Sequence, residues 1–203
     1  MVQFIQQLPE LLLPWYQEHK RDLPWRRDRE PYHVWLSEIM LQQTRVAAVL
    51  DYYRRFLEAA PTVAHLAELP EEQLMKLWEG LGYYSRVRNM QEAARQVCVE
   101  YGGVMPAEYE HLLSLKGIGS YTAGAISSIA FGLPYPAVDG NVLRVVSRLL
   151  NDPSPIDLPE TKKAVTQALA EIYPEDAGDF TQALMELGAT VCGPNRAPDC
   201  GNC

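Results

Sequence analysis

LKGIGSYTAGAI, Leu115–Ile126, places two glycines two residues apart and follows them with a helix-forming run. A short helix is predicted over 107–113, and Leu115–Gly119 reads as a tight turn. Gly117 and Gly119 permit positive φ and let another backbone come close. The next helix begins near Ser120, so its unpaired N–H groups and positive dipole end face the turn. Such a turn can receive a phosphate, with Lys116 beside it. The same spacing also suits a plain glycine-containing link between two helices.

Outward from this turn, the chain reads as helix. From Tyr32 to Ala60 apolar residues recur at helical spacing: Val34, Trp35 and Ile39, then Val46, Val49, Leu50, Tyr53 and Leu57. Pro61 ends that run. Further helices are predicted at about 71–78, 84–101, 107–113, 120–131, 140–150, 159–172 and 177–191, with Pro or Gly in the breaks. No segment alternates long enough to build a sheet. The fold class is all-α, with two helical lobes and a cleft between them. One lobe, roughly 30–130, holds the hairpin; the other joins 1–29 to 131–203 and ends in a cysteine-containing loop.

The chain has 203 residues, 47% hydrophobic and 22% charged, the balance of an ordinary globular protein. It shows no charged-then-apolar leader and no apolar run near the length of a membrane span. The expectation is a soluble, intracellular monomer, cytoplasmic and nucleoid-associated if bacterial, with no membrane partner. The net charge of −8 argues by itself against nucleic acid. Local charge argues otherwise. Lys20, Arg21, Arg26, Arg27 and Arg29 cluster in one segment, and Arg86 and Arg88 form a pair.

The pattern L-x-G-I-G-x-x-T-A resembles the helix–hairpin–helix motif, which grips a DNA strand through its backbone. Twenty residues on comes VDGNVLRVVSR, with Asp139 just ahead of a helix. Hairpin plus aspartate resembles the helix–hairpin–helix superfamily of base-excision glycosylases. Three further stretches narrow the match: DLPWRRDREPYHVWLSEIMLQQT (22–44), LWEGLGYYSRVRN (77–89) and QALMELGATVC (182–192). Together they resemble the MutY-type adenine DNA glycosylases, over nearly the whole chain and in that family's order. The resemblance implies double-stranded DNA as partner and removal of adenine mispaired with 8-oxoguanine or guanine.

Breaking a purine–sugar bond leaves positive charge on the sugar and negative charge on the departing base. A catalyst should protonate the base and set an anion near the sugar. Two carboxylates in different surroundings can do both. Glu38 lies among large apolar residues in VWLSEIML; in a dry pocket, desolvation would keep it protonated. Asp139 stands at a helix N-cap, where N–H groups and the dipole favour the anion. Asp139 also reads simply as a cap, and Glu38 as part of a solvated face. The resemblance implies that Glu38 protonates adenine N7 and later handles the water. It implies that Asp139 stabilises the oxocarbenium ion and that Asn141 orients it. Tyr121 stands where the resemblance would place the lysine of a lyase, which implies a monofunctional enzyme.

The target base must leave the duplex. By resemblance Arg21, Trp25, Arg26, Leu41 and Gln182 line the adenine pocket. Gln43 and Thr44 sit at the gap left in the duplex, and Tyr83 wedges beside the opposite base. Lys116, Gly117, Gly119 and Arg86 contact the DNA backbone, and Tyr84 belongs to the core. Three departures stand out. Lys116 replaces a frequent proline. The family's C-terminal domain, which helps read 8-oxoguanine, is not in this chain. The cysteines Cys192, Cys200 and Cys203 leave gaps of seven and two residues, whereas the family holds a [4Fe–4S] cluster on four cysteines with gaps of six, two and five. The expectation is a fragment cut before the last ligand, with doubtful cluster occupancy.

Two rival readings remain. A thymine or uracil mismatch glycosylase of the same superfamily shares the hairpin, Asp139 and Tyr121, but is not expected to carry both WLSEIMLQQT and GLGYYSR. A non-catalytic helix–hairpin–helix module has no need of Glu38 and Asp139 together.

Overall fold

The computed structural model describes residues 5–194 and 197–203, and its regular structure over those residues is entirely helical. The chain divides into two compact units, 1–22 with 127–203, and 23–126. In the first, α1 (Leu8–His19) buries Leu8, Leu12 and Tyr16, one residue per turn on a single stripe.

The 23–126 unit opens with a tight turn at Pro24–Arg26 and then α2 (Pro31–Leu41), started by a proline whose missing N–H costs a helix nothing at that position. Every residue from Val34 to Met40 is buried, so α2 is central to this unit. α3 (Val46–Ala59) follows. The apolar spacing over 32–60 suggested one run ending at Pro61. The structure breaks it at 42–45, where Gln42, Gln43, Thr44 and Arg45 offer no apolar anchor and Gln43 adopts φ +59°. Four more helices follow in this unit before the hairpin: α4 (Val63–Glu68), α5 (Glu71–Trp78), α6 (Ser85–Tyr101) and α7 (Tyr109–Ser114). Thr62 caps α4 through the His65 N–H, and Gly102 ends α6 at φ +63°.

The hairpin lies between α7 and α8 (Ser120–Ala125). Gly117 takes φ +77°, and a Cβ there would stand 2.8 Å from Asn89 Cβ on α6, so the close approach requires glycine. Gly119 does not use its freedom: at φ −97° it is ordinary extended backbone ahead of Ser120. α8 packs on α2 and α7. The predicted helix over 120–131 is α-helical only to Ala125 and then widens into a π-helical stretch, Ile126–Ala130.

The chain then rejoins α1 through α9 (Gly140–Leu149), α10 (Pro159–Ala170) and α11 (Ala177–Thr190). Their shared core includes Leu12, Tyr16, Val142, Val146, Leu169, Phe180 and Leu184. Thr181 donates to Ser128 Oγ at 2.8 Å, and Tyr173 meets Thr181 at 2.7 Å. Burial pushes the Tyr173 phenol up to about 12, so it stays a neutral partner. Among the described residues, no helix is long and apolar enough to cross a membrane.

Gly178 lets α11 close on the widened turn: a Cβ there would lie 3.0 Å from the Ser128 carbonyl and 3.1 Å from Ile129 Cα. Both neighbours are backbone and cannot rotate away. Gly178→Ala is expected to lose about 1–3 kcal/mol by overpacking, against at most ~1 kcal/mol regained from helix propensity. Urea unfolding checks this, with a lowered midpoint as the expected outcome.

Candidate active site

Within the 23–126 unit, α2 carries Glu38 and α8 carries Tyr121. Glu38 is 7% exposed, between buried Ser37 and Ile39. Ser37 turns its hydroxyl back to the Val34 carbonyl, 2.9 Å, and needs no solvent. The Tyr121 hydroxyl donates to Glu38 Oε2 at 2.5 Å. The phenol therefore fixes the carboxyl's rotation. A carboxyl fixed in this way, with little water around it, can deliver a proton in one direction.

In the other unit, Asp139 caps α9. Its Oδ1 accepts the Val142 N–H and its Oδ2 accepts the Asn141 amide N–H, both at 2.8 Å. Arg144, one turn along α9, continues the chain of contacts. It donates to Asn141 Oδ1 at 2.8 Å, to the Gly188 carbonyl at 2.9 Å and to the Cys192 carbonyl at 2.8 Å. Burial, its largest influence, lowers the affinity of this guanidinium for its proton. Gly188 makes room for Asn141, since a Cβ there would stand 2.7 Å from Asn141 Cβ. Asp139 is thus both a cap and a carboxylate held by two N–H donors. Sequence reasoning missed Arg144, although its place three residues beyond Asn141 on one helix face was a usable signal.

The residues expected around adenine divide between the units. Arg21 is bound bidentately by Glu186: Nε meets Oε1 at 2.6 Å and Nη2 meets Oε2 at 2.7 Å, while the Arg21 N–H also reaches Oε1 at 3.2 Å. The Glu186 side chain is fully buried, and the ion pair and hydrogen bond raise the proton affinity of Arg21. Glu186, which sequence reasoning missed, lies one turn beyond Gln182 on α11. Gln182 is buried and donates to the Gly178 carbonyl at 3.3 Å. Trp25 is buried with its ring edge-on to Tyr53, 5.3 Å between centroids. Arg26 closes the Pro24–Arg26 turn, and Leu41 ends α2 half-buried.

Gln43 is exposed, and Thr44 half-buried, in the break between α2 and α3. Tyr83 is 67% exposed on a backbone of φ +47°. A left-handed non-glycine residue costs about 1 kcal/mol or more and needs its surroundings to hold it. Tyr84, expected in the core, is instead 38% exposed where it precedes α6. The Arg86 guanidinium is turned inward onto the carbonyls of Ile39, Gln42, Leu81 and Gly82. Arg88 pairs with Glu71 at 3.2 Å. Lys116 and Gly117 are exposed at the hairpin, as is Gly119.

Cys192 is half-buried, Cys200 and Cys203 are exposed, and none is in a disulfide. Burial, followed by the negative fields of Cys192 and Cys200, raises the Cys203 thiol. Among the described residues no three His, Cys, Asp or Glu side chains close around a single metal ion.

Residues 36–175 match the HhH-GPD superfamily of base excision DNA repair proteins. The chain belongs to that superfamily. It is similar to human adenine DNA glycosylase, 50% identical over 95% of this chain and 37% of that protein. The corresponding protein of Arabidopsis thaliana is 42% identical over 95% of this chain and 34% of its own. That of Mycolicibacterium smegmatis is 39% identical over 96% of this chain and 66% of its own. This HhH-GPD chain therefore spans under two-fifths of the human relative's length. In structure it is similar to a thermostable thymine-DNA glycosylase, with a TM-score of 0.88 and 28% identity over 99% of this chain and 93% of that one. It also matches a trapped endonuclease III–DNA covalent intermediate, with a TM-score of 0.83 and 25% identity over all of this chain and 92% of that one.

Arg21→Met removes both side-chain bonds to the buried Glu186 carboxylate and leaves it the backbone N–H of position 21. The expected loss is about 1–3 kcal/mol, below that of a wholly buried pair because the Arg21 side chain is part-exposed. Adding Glu186→Leu should cost less than the sum of the two single changes. Urea unfolding of the single and double variants measures the difference.

Proposed function

We propose that this chain is the catalytic part of an adenine-specific DNA N-glycosylase. It acts on double-stranded DNA, removes adenine mispaired with 8-oxoguanine or guanine, and leaves an abasic site. The observation that carries this reading is the buried Glu38 carboxyl held by Tyr121, in a chain 50% identical to an adenine DNA glycosylase.

Glu38 gives its proton to adenine N7. The C1′–N9 bond then breaks, its electron pair leaves with the base, and the sugar is left as an oxocarbenium ion. The Asp139 carboxylate, held by Asn141 and the Val142 N–H, faces that positive charge with an anion that needs no reorganisation. Water adds to C1′ and its proton returns to Glu38, which restores the acid. Tyr121 keeps Glu38 oriented through both proton transfers and supplies no amine, so no Schiff base forms and the strand stays intact.

Gln182 and Trp25 serve adenine recognition, with Leu41 and Arg26 at its margin. Arg21 contributes through its clamp on Glu186. Lys116, Gly117 and Gly119 present the hairpin backbone to a phosphate. Cys192, Cys200 and Cys203 would hold three corners of a [4Fe–4S] cluster, which anchors the loop after α11. With three thiols, iron and acid-labile sulfide are expected below the full complement in this chain; their absence from a chain extended by one further cysteine overturns the ligand set.

Thymine excision is the second reading, favoured by the TM-score of 0.88 to a thymine-DNA glycosylase. The higher sequence identity to adenine enzymes outweighs a fold shared across the superfamily. Base release from duplexes with A:8-oxoguanine, A:G, T:G and U:G separates the readings. Adenine release from the first two alone is expected. Glu38→Gln should lose about 10²–10⁴-fold in single-turnover rate while still binding the mismatch. Asp139→Asn should keep its capping oxygen and the fold, losing at most ~1 kcal/mol, and lose base release. Efficient borohydride trapping of a protein–DNA adduct would overturn the monofunctional mechanism.

A further inference from the structure

Two loops of the 23–126 unit end in exposed residues with left-handed backbones, Gln43 at φ +59° and Tyr83 at φ +47°. Neither is glycine, so neither conformation is one the residue adopts unaided. Both loops converge on one side chain. Arg86 Nη1 donates to the carbonyls of Ile39 at 2.8 Å and Gln42 at 2.6 Å, at the end of α2. Its Nη2 donates to the carbonyls of Leu81 at 3.0 Å and Gly82 at 3.2 Å, just ahead of Tyr83. The guanidinium carbon lies 5.4 Å from the Trp78 ring centroid and 5.7 Å from that of Tyr83. Trp78 adds its own N–H to the Gly82 carbonyl at 3.0 Å.

The carbonyl of Gln42 immediately precedes Gln43, and that of Gly82 immediately precedes Tyr83. Fixing those peptide planes limits the φ available to the next residue on each loop. A planar fork with several donors can fix two peptide planes at once, whereas a lysine ammonium is a point charge on a flexible stem.

We propose that Arg86 is a positioning residue for base extrusion, holding Gln43 and Tyr83 at a fixed separation so that both enter the duplex together. The inference rests on the adenine-excision reading, in which these two residues occupy the gap and wedge beside the opposite base. Arg86 itself touches neither substrate nor reacting atoms. Its effect is confined to bringing the base out, and it is silent once the base is already out.

Arg86→Lys tests this, with two substrates compared in single-turnover adenine release. One duplex carries adenine opposite 8-oxoguanine. The other carries adenine opposite a stable abasic analogue, so that there is no partner to break from and no opposite base to wedge. Misplacing the probes should slow the paired substrate by up to about 10²-fold and leave the unpaired one within a few-fold of wild type. 2-Aminopurine in place of the target adenine should lose its extrusion fluorescence in the same variant. Adding Arg86→Lys to a Gln43→Ala/Tyr83→Ala background should cost almost nothing further, as expected of a residue that acts through those two. Equal slowing on both substrates, or no slowing on either, overturns the proposal. If Arg86→Lys does not fold, Trp78→Phe removes the bond to Gly82 and should show the same substrate pattern more weakly; its absence counts against the proposal. Wild-type protein that releases no adenine from the paired duplex refutes the underlying reading instead.

Discussion

The 2.5 Å hydrogen bond from Tyr121 to Glu38 joins the helix after the hairpin to the central helix of its unit. It sets where the hairpin can stand, because Tyr121 is the second residue of that helix and Gly117 lies only four residues before it. It also sets how the acid points. Position along the chain therefore links the glycine turn with the buried Glu38 carboxyl. Gly117 contributes by admitting α6 at a distance no side chain would allow.

The two carboxylates to which we assign the chemistry have opposite surroundings. Glu38 sits in a helix buried on every side and has a phenol for a partner. Asp139 sits at a helix start and has two N–H donors. Neutral acid and anchored anion are the two roles a purine–sugar cleavage needs. Arg144 extends the Asp139 arrangement to the Gly188 and Cys192 carbonyls, so the cap is braced by the loop that carries the first cysteine.

The hairpin, most of the helices and the cap at Asp139 were legible because each rests on local chemistry: glycine spacing, apolar period and an acidic residue before a helix; α1 and the six-residue α4 were not among the predicted helices. The break at 42–45 was hidden because apolar residues resume on its far side with helical spacing, and a period alone does not show that its phase has restarted. Glu186 and Arg21 are 165 residues apart, so no window along the chain could pair them. The inward turn of Arg86 was hidden for a related reason: two of the four carbonyls it meets, those of Ile39 and Gln42, lie 47 and 44 residues away in sequence. The role of Tyr121 came through resemblance to a family, while its bond to Glu38 needed the fold.

The account's central claim is that Glu38 drives base release by protonating N7. A duplex with 7-deazaadenine opposite 8-oxoguanine removes that one acceptor and leaves the rest of the base in place. Single-turnover measurement with this duplex is predicted to show mismatch binding close to that of adenine and no detectable base release. Release at a rate near that of adenine would contradict the claim.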